Sequence, residues 1–128
     1  MVRDWNLIRN LLVKIEDETL RDFLDQLSTD VKCGTGDPKF ESDVARHLSL
    51  LIDAKFVTGI QIGSTTPKCV HYVRIEPNLT MEGYDLLEIL RSKETWGKVT
   101  DFFKKTGHAV TLESIKAVTL AALKSLLT

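Results

Sequence analysis

Two cysteines in 128 residues, Cys33 and Cys69, are too few to build a disulfide framework, and a reducing compartment would keep both as thiols. Long apolar runs are missing too. None approaches the roughly 18 residues needed to span a bilayer, so no membrane contact is expected. The opening Met1-Val2-Arg3-Asp4-Trp5-Asn6 is not expected to be a signal peptide, because Arg9, Lys14 and Glu16 interrupt the apolar residues that follow. A cytoplasmic location is therefore expected. The chain also lacks an excess of charge of either sign: 17 basic residues face 18 acidic ones. Nucleic-acid binders usually carry a basic surplus, because phosphate neutralisation supplies most of their non-specific affinity. Any DNA contact must here rest on a local patch. What remains, 43% hydrophobic and 27% charged residues, is the composition of an ordinary globular chain, long enough to bury a core as one domain over residues 1–128.

Trp5, Ile8, Leu11, Leu12 and Ile15 recur at spacings of three and four and predict an amphipathic helix over residues 4–16. Leu20, Phe23, Leu24 and Leu27 predict a second over 18–28. Periodicity then lapses, and Cys33-Gly34-Thr35-Gly36-Asp37-Pro38 reads as loop. A third helix over 42–55 carries Val44, Ala45, Leu48, Leu51 and Ile52. Two strands, 57–62 and 69–75, flank a polar turn at 63–68, and Thr58-Gly59 is expected to bulge the first strand. Thr80 is suited to cap a fourth helix, with Gly83 permitting close packing in its first turn and Leu86, Leu87 and Leu90 facing inward. A fifth helix over 94–105 ends at Gly107, and Thr111 caps a last one. The small residues Ser114, Ala117, Ala121 and Ser125 on that last helix are either an ordinary surface face or a dimer contact.

Helix, hairpin, helix is the order of a winged-helix domain. The expected fold is α+β and mostly helical: a winged-helix core of three helices and a hairpin wing over 1–92, elaborated at 18–39, with a helical pair at 93–128.

No constellation announces catalysis. Gly34-Thr35-Gly36 is too short for a phosphate-binding loop, and no nucleophile elbow or redox thiol pair occurs. A metal site can be imagined from Cys33, His47, Cys69 and His71, but they lack the paired spacing of a zinc site. No enzyme activity, metal or cofactor is expected. His47 reads as a half-buried flank of the third helix.

Several segments carry a family resemblance in order. They are Arg3-Asp4-Trp5-Asn6-Leu7-Ile8-Arg9, Val44-Ala45-Arg46-His47-Leu48-Ser49-Leu50-Leu51, Leu79-Thr80-Met81-Glu82-Gly83-Tyr84-Asp85-Leu86-Leu87, Thr95-Trp96-Gly97-Lys98-Val99 and Leu112-Glu113-Ser114-Ile115-Lys116-Ala117. Together they make the chain resemble the phage and prophage proteins of domain-of-unknown-function family 2513. The resemblance implies a winged-helix-like fold and a mobile-element origin, and no activity. Two departures stand out. Lys55 replaces a usual glycine just past the central helix, leaving that helix free to end differently. Tyr84 replaces a usual histidine.

At about 100° per residue, the third helix turns Ser42, Asp43, Arg46, Ser49, Leu50 and Asp53 away from its apolar stripe. Only Arg46 there could grip a base edge or phosphate, and Asp43 and Asp53 would repel phosphates. Leu50 is either core beneath the 18–39 segment or an anchor for a protein partner. Lys68, Arg74 and His71 give the hairpin some positive charge. Lys39, Arg46 and Lys68 form either a thin positive edge or a normally solvated surface. Two functions follow. One is a non-enzymatic module binding a host or phage protein, through Asp43, Arg46, Leu50 and Asp53. The other is a DNA-binding regulator, using Lys39, Arg46, Lys68 and Arg74. A homodimer through residues 94–127 is expected alongside either, because that segment is rich in apolar side chains.

Overall fold

A computed structural model describes residues 3–66, 69–107, 111–112 and 114–115. Five helices and one antiparallel hairpin are seen among them. They are α1 (Trp5–Glu16), α2 (Leu20–Lys32), α3 (Pro38–Asp53), β1 (Val57–Thr66), β2 (Cys69–Leu79), α4 (Met81–Arg91) and α5 (Lys93–Thr106). The expected α+β, mostly helical fold is present, with the helices and hairpin in the expected order.

The helix ends follow local chemistry. Asp4 caps α1, its Oδ1 accepting from the amides of Asn6 and Leu7 at 3.0 and 3.1 Å. Asp37 caps α3 in the same way, with Pro38 in the first turn, where its missing N–H costs nothing. The loop expected before residue 42 is therefore shorter, and α3 begins a full turn earlier. At the other end of α3, the Phe56 amide donates to the Leu51 carbonyl and the Lys55 amide to that of Ile52. This is a left-handed cap, and Lys55 takes it with φ of 64°. The helix thus ends as a glycine-capped one would, and lysine bears the steric cost there.

Helix α3 sits at the centre, packed against α1, α2 and both strands. Leu48 and Leu51 meet Ile8, Leu11 and Leu12 of α1 and Leu86 and Leu87 of α4 in one buried cluster. Leu20 and Leu24 of α2 belong to that cluster, so the segment read as an elaboration is part of the core. From α5 come Val99 and Phe103, and Leu112 and Ile115 extend the cluster beyond it.

The hairpin is longer than expected, with strands of ten and eleven residues. Its register slips between Thr58 and Ile60, where Gly59 faces Glu76 and Pro77 of β2. The extra residue therefore lies on β2, not on β1 as read from Thr58-Gly59. Proline suits a bulge, where no ladder donor is needed. Gly59, at φ of 85°, lets the strands close around it.

Candidate partner-binding surface

The stripe Lys39, Asp43, Arg46, Leu50 and Asp53 repeats at spacings of four and three along α3. Lys39 and Asp53 are exposed at its two ends, and Asp43, Arg46 and Leu50 between them are half-buried. Every residue from 41 to 52 is buried or half-buried. Ser42, expected to point outward, is buried. Leu50 packs against the core cluster as a partly buried side chain. The helical periodicity gave directions correctly; neighbours α1 and α2 cover a side that a free helix would show to solvent.

The hairpin cations are less available than their number suggests. The Arg74 guanidinium donates to Glu76 Oε2 through Nε at 3.2 Å and Nη2 at 2.7 Å. That hydrogen bond, then the guanidinium charge, hold the Glu76 carboxyl below its usual range. Arg74 thus carries its own counter-ion. Lys68 lies outside the described residues. His71 is exposed on β2. Among the described residues, the expected positive edge reduces to Lys39 and Arg46, interleaved with Asp43.

A groove of about 550 Å³ opens between the start of α1, the first half of α3 and α5. Trp5, Trp96 and Phe40 line it together with Arg3, Asp43 and His47. The two indole rings lie 4.9 Å apart between centroids, tilted by 52°, and join α1 to α5. The Arg3 guanidinium stands 5.8 Å from the Trp5 ring centre, within reach of a cation–π attraction. Phe40 is 40% exposed at the groove's edge, which the fold alone does not require.

His47, read as a flanking residue, is 2% exposed and structural. Its Nε2 accepts the Asp4 amide at 3.0 Å. Its Nδ1 lies 2.6 Å from the Asp43 carbonyl and donates to it. An N–H on one side and a carbonyl on the other fix one neutral tautomer. His47 thereby ties the capping residue of α1 to α3 and sets the floor of the groove. A histidine at a core-flanking position was visible in the sequence, but its partner 43 residues away was not.

Glu41 is a second buried polar residue that the sequence reading missed. It is 6% exposed, and its Oε2 has no hydrogen-bond partner among the described residues. Burial pushes its carboxyl above the usual range, and the Lys32 charge and the Ser28 hydroxyl pull it partly back. Burial and the Glu41 charge both push the Tyr72 phenol up. The Tyr72 hydroxyl is likewise buried without a partner among the described residues. A carboxyl raised on folding contributes its stability below the ordinary carboxyl range and loses it as pH rises through the raised value. Glu41→Gln is therefore expected to stabilise the protein at pH 7 by about 1 kcal/mol, the scale of relieving a poorly satisfied buried group. The gain should shrink as pH falls through the carboxyl range. Urea denaturation of both proteins at pH 4 and pH 7 checks the sign, and a destabilised variant at pH 7 would reverse the reading of Glu41.

Among the described residues, no group of acidic, histidine and cysteine side chains could hold a metal ion, and no helix is long and apolar enough to cross a membrane. Cys33 is an exposed thiol. In the groove, the Asp4 carboxylate is committed to its cap and His47 to two backbone groups.

Comparison with known proteins agrees with the resemblance seen in the sequence. The family described as "Hypothetical protein (DUF2513)" matches residues 2–109, a span that includes the α2 segment. The chain is 27% identical over 128 residues to an "Uncharacterized protein" of Haemophilus influenzae (strain ATCC 51907 / DSM 11121 / KW20 / Rd), covering 99% of each. No solved structure matches. With the family's match spanning most of its length, the chain belongs to the DUF2513 family.

Proposed function

We propose that this protein is a non-enzymatic protein-binding module of a phage or integrated element, built on a winged-helix-like core and working in the bacterial cytoplasm. The groove carries this reading: two tryptophans and an exposed phenylalanine line an open cleft beside the alternating charges of α3. Aromatic side chains supply large contact areas at low entropic cost, and interleaved charges give specificity without net attraction to phosphate. Every residue of α3 from 41 to 52 is at least half covered, so the helix has little face to offer a major groove.

The test compares capture of host and phage proteins by the wild type and by Phe40→Asp, with the fold checked by circular dichroism. A stoichiometric partner should be retained by the wild type and lost at least tenfold by the variant. A folded Phe40→Asp protein that keeps its partner would remove the groove from the interface.

The long hairpin, in the position of a wing, favours the DNA-regulator reading as the second one. It requires micromolar, steeply salt-dependent binding to random duplex that Arg46→Ala or Lys68→Ala weakens. The homodimer through residues 94–127 draws less support. Trp96, Val99, Phe102, Phe103, Leu112 and Ile115 pack into or against the chain's own core, and residues 116–127 lie outside the described ones.

A further inference from the structure

We propose that the outward face of α4 is a second docking surface, one that takes a basic, amphipathic segment of another protein. Helix α4 buries Gly83, Leu86, Leu87, Ile89 and Leu90. Its other side carries the exposed Met81, Tyr84 and Glu88 and the half-buried Asp85 at spacings of three and four, flanked by the exposed Glu82 in the first turn. Met81 is 83% exposed and Tyr84 50% exposed. The start of the helix is held by other residues: the Thr80 side chain caps it, and Gly83 rests on the Phe56 carbonyl. Nothing in the fold calls for a thioether and a phenol in solvent beside them.

The charges select the occupant. Glu82, Asp85 and Glu88 form no ion pair among the described residues. The positions four residues on are Leu86, Ile89 and Ser92, so no lysine or arginine within the helix answers them. Arg91, at the end of α4, is engaged by Glu16 of α1. A second copy of this face would set carboxylates against carboxylates, and a phosphate backbone would be repelled. A neutral apolar helix would strip water from the carboxylates without pairing them. A segment with lysines or arginines around one apolar side chain satisfies both features. Its cations meet the three carboxylates, and its apolar group lies between the adaptable Met81 thioether and the Tyr84 ring. This surface is separate from the aromatic groove, and the proposal does not depend on the groove binding anything.

The probe is a fluorescent peptide with leucine and lysine at helical spacing, titrated with the full chain and read by anisotropy. A counterpart with glutamate for lysine serves as the charge control. Saturable binding of the lysine peptide alone is expected. It should weaken at least tenfold in Met81→Ser/Tyr84→Ser and in Glu82→Gln/Asp85→Asn/Glu88→Gln. It should change less than twofold in Asp22→Asn/Asp25→Asn/Asp101→Asn, which removes the same charge elsewhere. Circular dichroism and urea midpoints establish that each variant is folded. Three outcomes overturn the proposal: no saturable binding by the wild type, equal binding by folded α4 variants, or equal weakening by the distant charge triple.

Discussion

Gly83→Ala should destabilise the protein by about 3 kcal/mol or more, although alanine is intrinsically the better helix former by about 1 kcal/mol. A Cβ at Gly83 would overlap the Phe56 carbonyl oxygen, which belongs to the backbone and has no rotamer to yield. That oxygen is also committed. It accepts from the Thr80 amide at 3.1 Å and lies 3.2 Å from the Thr80 hydroxyl, which in turn donates to the Lys55 carbonyl at 2.7 Å. The Thr80 Oγ1 also caps the Gly83 amide at 3.1 Å. The turn out of α3 and the first turn of α4 are thus one junction, and moving either to admit a methyl group breaks bonds in both. Gly97→Ala is the control. Gly97 lies within α5, and a Cβ there meets nothing within 4 Å. It should stabilise by about 1 kcal/mol, the propensity gain alone. Urea denaturation of the three proteins separates the two effects. A Gly83→Ala protein as stable as the wild type would mean that the junction is not rigid.

One side of this junction is legible in the sequence, the Thr80 cap and the close approach at Gly83, because that chemistry is local; the Lys55 and Phe56 carbonyls that it meets lie 25 and 24 residues from Thr80 and are not. A threonine before a helical pattern is a cap, and a glycine in the first turn signals close approach. The apolar stripes of α1 and α4 were legible for the same reason. The second helix runs four residues past the end that its apolar stripe predicts, since Thr29, Asp30 and Lys32 carry no apolar signal. It continues on hydrogen bonds of its own, from the Thr29 hydroxyl to the Asp25 carbonyl and from Gln26 to Asp30. The start of α3 was available in Asp37-Pro38, a capping residue followed by a first-turn proline. The breakers around that pair obscured it. The groove is not legible in the sequence, because Trp5, Phe40 and Trp96 are distant in the chain and Trp5 looks like part of a core stripe. The burial of Ser42 and Glu41 was equally hidden. Helical periodicity tells which way a side chain points, and only the fold tells what covers it.

His47→Ala should cost about 2–4 kcal/mol and loosen the groove. The substitution removes a fully enclosed ring and leaves a cavity. It also leaves the Asp4 amide, half-buried, without its acceptor. The two conservative variants should differ. Glutamine extends an oxygen toward the position of Nε2 and can still accept from Asp4, whereas asparagine is a closer match to Nδ1 and reaches only the Asp43 carbonyl. That carbonyl already serves the α3 backbone ladder, so losing the imidazole donor there costs less than orphaning Asp4. His47→Gln is therefore expected to retain more stability than His47→Asn, by about 1 kcal/mol. Because Asp4 caps the helix that carries Trp5, the alanine variant should also shift the Trp5 and Trp96 indole resonances, the only two in the chain. If asparagine matched or exceeded glutamine, the Asp43 contact would dominate. The link from α3 to the cap of α1 would then not be what holds the groove in shape.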